Sequence, residues 1–76
     1  MLDRNALVGW LSQELNISDE EINQQQKLYS TGLLNSFKIL KLVRFIESQQ
    51  NKTISSEKME VMNFESVDSI LNKVVD

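Results

Sequence analysis

The sequence predicts an all-α fold, a four-helix bundle of up-down type with a long first loop and a short third helix. Three observations carry this. Apolar residues recur at helical spacing in several separate stretches, most strongly in residues 32–47, where Ile39, Leu42, Val43 and Ile46 share one side at 100° per residue. Residue types that favour helix starts stand before each stretch: Asp3, Ser18, Asn35 with Ser36, Ser55 or Ser56, and Glu65 or Ser66. Polar runs without apolar period, Gln24-Gln25-Gln26-Lys27 and Gln49-Gln50-Asn51-Lys52-Thr53, separate them.

The first helix is expected over Asp3 to Leu15, capped by Asp3, with Ala6, Leu7, Trp10, Leu11 and Leu15 facing inward. Gly9 falls inside it and costs about 1 kcal/mol relative to Ala, unless it marks a close packing point. Trp10 reads as a core anchor, with a ligand platform as the alternative. Ser18 followed by Glu21 has the form of a capping box and predicts one short turn. The connection from Asn16 to Leu34 is long for a compact domain and therefore a candidate functional loop, stapled by Ile22, Leu28, Tyr29, Leu33 and Leu34. Gly32, free to take positive φ, precedes the second helix, which runs from about Ser36 to Gln50. This places Ser36 at the exposed mouth of a helix.

Beyond that helix, Ile54 is expected to point inward and a short third helix to run to Met62. Met59 and Met62 read as core filling, or as the pliable lining of an apolar cavity. The fourth helix carries Val67, Ile70, Leu71 and Val74 as an apolar stripe. Residues 1–76 read as one small domain, whose stability is limited to a few kcal/mol by the little surface it buries.

Composition narrows the function. The chain has no cysteine and no histidine. It therefore lacks thiolates, the commonest general base and the commonest metal ligand, and a self-contained enzyme is hard to build from the rest. No run approaches a membrane span, and Met1-Leu2-Asp3 has no signal-peptide character, so a cytoplasmic protein is expected. The net charge of −3 argues against nucleic-acid binding. Charge is uneven, however. Lys38, Lys41 and Arg44 against Glu47 give residues 36–50 a charge of +2, which leaves −5 on the others. Asp19, Glu20 and Glu21 read as a solvated, dipole-matched helix start, so no metal site is expected.

The Gly-Leu-Leu-Asn-Ser-Phe run before an apolar helix ending in Ile-Glu resembles the prosthetic-group site of acyl carrier proteins. The family's usual form there is Asp-Ser-Leu after a Leu-Gly. The likeness extends to the whole layout: the chain length, a first amphipathic helix, a long loop, a serine about halfway, a short third helix and a final helix after Asn-Phe-Glu-Ser-Val. The resemblance implies a bundle of acyl-carrier type. It further implies that Ser36 carries 4′-phosphopantetheine from coenzyme A, with acyl or aminoacyl groups held on its thiol as thioesters. A serine hydroxyl needs a base, and no histidine is present, so the base would come from a phosphopantetheinyl transferase. The chain would then be shuttle and substrate, not catalyst. Its further partners would be the acyl-loading and synthase enzymes of fatty-acid, polyketide or nonribosomal-peptide synthesis, and it would act as a monomer.

Two residues depart from the family's pattern. Asn35 replaces the Asp, keeping the cap and losing the carboxylate. Lys38, Lys41 and Arg44 stand on a helix that is typically acidic in the family, which implies partners with acidic docking surfaces and a specialised pathway. Phe37 and Leu40 beside them read as interface anchors. The alternative is an unmodified, degenerate carrier fold that serves as an interaction module through the same basic helix.

Overall fold

In the computed structural model, which describes residues 2–75, the chain is all-α, and no β-strand forms among those residues. The first helix, α1 (Arg4–Leu15), begins as expected: the Asp3 carboxylate accepts the Ala6 N–H at 2.8 Å. It ends where Asn16 turns left-handed (φ 59°), a conformation that Asn tolerates better than most residues. The Ser12 hydroxyl then ties the exit by donating to the Ile17 carbonyl at 2.6 Å. Its inward residues are Leu7, Val8, Leu11 and Leu15, while Ala6 and Trp10 are only partly buried. Trp10 is thus an edge residue rather than the core anchor expected.

Ser18 caps α2 (Asp19–Gln24) by accepting the Glu21 N–H at 3.2 Å, and Ile22 is the residue this short helix buries. The three acids fill its first turn, where the helix dipole favours them. Leu28 and Leu34 then anchor the loop to the core, and between them Gly32 takes φ +85°, which side-chain-bearing residues rarely adopt.

The central helix α3 (Ser36–Gln50) has the predicted boundaries and inward face, Ile39, Leu42, Val43 and Ile46. Asn35 is its cap, accepting the Lys38 N–H at 2.9 Å, and Asn51 (φ 57°) closes its other end. Glu47 accepts the Ile54 N–H at 2.8 Å and folds the following connector back along the helix, with Ile54 packed against the core.

The single third helix expected to run to Met62 is instead two 3₁₀ turns, Ser56–Lys58 and Val61–Phe64. Glu60 between them is extended (φ −76°, ψ 140°), and Ser55 makes no side-chain cap bond. The physical reason is the spacing of the anchors. Met59 packs against the core and Phe64 is fully buried, but the two stand five positions apart, so no continuous α-helix brings both inward together. Met62 consequently faces out, 63% exposed, and neither fills the core nor lines a cavity with Met59.

Ser66 caps α4 (Val67–Ser69) by accepting the Ser69 N–H at 3.1 Å, and the helix continues directly into a wider π-helical turn, Ile70–Val74. Val67, Ile70 and Val74 are buried and Leu71 partly so, which preserves the predicted stripe despite the change in winding. Arg4 joins three helices, donating to Asp68 of α4 at 2.6 Å and to Asn23 of α2 at 3.1 Å.

Helices α1 and α3 run antiparallel along two ridges of i, i+4 residues. Glu14 pairs with Lys41 at 2.8 Å, Trp10 stacks on Phe45 with ring centroids 5.5 Å apart, and Asn5 and Ala6 share a groove with Gln49. Numbers fall along α1 as they rise along α3. Phe37, one step earlier on the α3 ridge, lies beyond the end of α1 and overhangs into solvent.

Candidate functional site

Ser36 is the first residue of α3 and is exposed. Its placement follows from three local features. Gly32 turns the chain, buried Leu34 anchors it, and Asn35 caps the helix, so the next side chain must emerge at the helix mouth. The Asn35 side chain takes the Lys38 N–H and the Asn35 carbonyl takes the Ile39 N–H at 2.8 Å. The N–H groups of Ser36 and Phe37 have no acceptor inside the helix and contribute to the partial positive end of a 15-residue dipole. An anionic group on the Ser36 oxygen would therefore meet free donors and a favourable field.

Two rows of side chains diverge from Phe37 along the neighbouring surface. Phe37, Leu40 and Arg44, at i, i+3 and i+7, form an outward stripe in which Phe37 is 68% and Leu40 48% exposed. Lys41 stands on the α1-facing ridge that also begins at Phe37: its ammonium pairs with Glu14 and sits 5.5 Å from the centroid of the Phe37 ring. That contact joins an ion pair and a cation–π interaction, each worth about 0.5–1 kcal/mol at an exposed position. Lys38 is partly buried at the helix start. The three cations of the basic helix are thus unequal, and Arg44 is the one that stands on the same stripe as the exposed apolar side chains.

Sequence reasoning missed Glu65. Its Oε1 accepts the N–H groups of Tyr29 at 2.8 Å and Ser30 at 2.9 Å, its Oε2 accepts the Ser30 hydroxyl, and its backbone carbonyl accepts the Leu28 N–H at 2.7 Å. The Ser30 hydroxyl and N–H, with the Tyr29 N–H and the charge of Lys27, lower the pKa of the Glu65 carboxyl from its ordinary value against the opposing effect of desolvation. No local signal reveals this contact, because its partners lie 35 and 36 residues away.

Gly9 and Trp10 belong to an open groove of about 350 Å³ lined also by Asn5, Ala6, Gln13, Phe45 and Gln49. Gly9 is not a close packing point, since a Cβ added there meets nothing within 4 Å. Among the described residues no group of three or more acidic side chains is arranged to hold a metal ion, and no helix is long and apolar enough to cross a membrane.

Comparison with protein-family models, with curated proteins and with solved structures returns no significant match to this chain.

Proposed function

We propose that this chain is a carrier protein of acyl-carrier type that tethers acyl or aminoacyl intermediates on a 4′-phosphopantetheine arm at Ser36. The observation that carries the proposal is the exposed Ser36 at the first position of α3, reached by a long loop and followed by an exposed apolar stripe. The residues fit the group: the Ser36 hydroxyl would hold it as a phosphodiester beside the free N–H groups of the first helical turn, with Asn35 shaping that turn. When bound, the arm would supply the thiol that this cysteine-free chain lacks.

The proton on the Ser36 oxygen must leave to a base brought by a phosphopantetheinyl transferase, because no histidine is available in the chain. Docking of the transferase, and of loading and synthase enzymes, would use Phe37 and Leu40 as apolar anchors. Lys38 and Arg44 would supply charge for an acidic surface, and Lys41 would hold the Phe37 ring. The cations on α3 favour partners of a specialised fatty-acid, polyketide or nonribosomal-peptide type pathway. The exposed stripe serves equally in the second reading, an unmodified interaction module, which Asn35 favours by removing the carboxylate found in the family's motif.

Incubation with coenzyme A and a broad-specificity phosphopantetheinyl transferase separates the two readings. The carrier reading expects a mass gain of one phosphopantetheine that vanishes in Ser36→Ala. A wild-type chain that gains no mass would leave the interaction module as the better account.

A further inference from the structure

Glu65 grips the loop that delivers Ser36. Leu28, Tyr29 and Ser30 all donate backbone N–H groups to this one residue, and Ser30 adds its hydroxyl. Adjacent amides aimed at one carboxylate form an anion cradle, here filled by the protein's own side chain. The gripped segment is also closed on itself. Thr31 N–H donates to the Lys27 carbonyl at 2.9 Å, Gly32 N–H to Tyr29 at 3.0 Å, and Leu34 N–H to Leu28 at 2.9 Å. Leu28 and Leu34 are buried at its two ends. Asn35 follows Leu34 directly and holds the Lys38 and Ile39 amides of the first helical turn. A continuous run of fixed backbone thus connects Glu65, at the entrance to α4, with the residue next to Ser36.

We propose that Glu65 is a positioning residue for Ser36, a latch that fixes the first turn of α3 by holding the preceding loop, that weakens when the carboxylate loses its charge and that releases the loop when the carboxyl is removed. Lys27 is the charged side chain that acts on this carboxylate, and the Tyr29 and Ser30 donors face it from the loop. A protonated Glu65 keeps its shape but loses the charge that strengthens those bonds. The latch itself stands on geometry alone; its consequence for modification rests on the carrier reading.

Amide hydrogen exchange, followed residue by residue in wild type, Glu65→Ala and Glu65→Gln, tests the latch. In Glu65→Ala, protection at Tyr29, Ser30, Lys38 and Ile39 is expected to fall about tenfold, the size of one lost charge-assisted hydrogen bond, and to fall less at Leu11 in α1. Glu65→Gln, whose amide oxygen still accepts both N–H groups, retains most of the protection. Its protection at these amides does not change as pH is lowered through the carboxylate range, whereas that of wild type falls to the level of Glu65→Gln. Changes confined to Tyr29 and Ser30, or an equal fall at Leu11, would overturn the proposal, since the first denies transmission and the second is general destabilisation. In the transferase assay, Glu65→Ala is expected to raise KM with kcat/KM down about tenfold, matching that same lost bond, while Glu65→Gln stays near wild type. An unchanged rate in Glu65→Ala would overturn the positioning role. A wild-type chain that takes no phosphopantetheine counts against the carrier reading alone, and the exchange pattern then decides the latch.

Discussion

Asn35 and Ser36 divide two tasks between neighbouring residues: the first shapes the helix start, and the second presents the hydroxyl. Asn35→Ala is expected to lower stability by about 1 kcal/mol through the lost cap, read as a lower urea midpoint at unchanged m-value. Asn35→Asp keeps the cap and restores the carboxylate typical of the resembled family, so it should modify at least as fast as wild type in the transferase assay. Ser36→Ala leaves stability within about 0.5 kcal/mol, because the side chain is exposed and makes no packing contact of consequence. The cations separate in the same experiment. Lys41→Glu sets a carboxylate against Glu14 and should destabilise by about 0.5–1 kcal/mol, whereas Arg44→Glu should leave the unfolding midpoint unchanged. Equal effects would contradict the division of the helix into an α1-facing ridge and an outward stripe. At this scale the cap and the exposed serine are legible in sequence because both depend on neighbours within a turn. The Glu65 latch is not, because its partners are distant in the chain.

Among the elements, α3 was readable nearly to the residue, since a long helix with four inward apolar positions and a polar end leaves few alternatives. Leu42 and Ile46 are fully buried on it, and truncating either to Ala should cost about 2–5 kcal/mol. In a domain of this size that is enough to abolish the cooperative thermal transition. The third helix departs from expectation because propensity and a plausible cap favour a helix there, while the tertiary demand to bury Phe64 breaks it at Glu60. Spacing alone points Trp10 into the core. The inward arc of α1 is instead centred on Leu7, Val8, Leu11 and Leu15, leaving Trp10 to stack on Phe45 at the edge. Gly9 shows the same limit, for its surroundings are open. Gly9→Ala should therefore stabilise α1 by about 0.5–1 kcal/mol, measured by urea unfolding. A loss of stability would mean that the groove beside Trp10 closes more tightly than its geometry indicates.

For the whole molecule, charge is concentrated so that α3 differs from the rest. The Glu65 contacts join the loop before α3 to the entrance of α4, which makes part of the fold's stability dependent on one carboxylate. Because its folded pKa lies below the unfolded value, the unfolded chain binds the extra proton. This contribution is complete above the usual carboxylate range and is lost as pH falls through the lowered value. Glu65→Gln should flatten that portion of the acid-unfolding curve, as followed by circular dichroism. The all-helical character of the described residues is legible from periodicity, whereas the two 3₁₀ turns, the π-helical end of α4 and the Glu65 latch depend on packing between distant segments. The central claim, that Ser36 carries a phosphopantetheine arm, is tested most directly by the intact mass of the protein isolated from its own cells, with the modified peptide then fragmented. The account predicts a population heavier by one phosphopantetheine, with or without cargo, located on Ser36. A uniformly unmodified chain that also resists the transferase in vitro would contradict it.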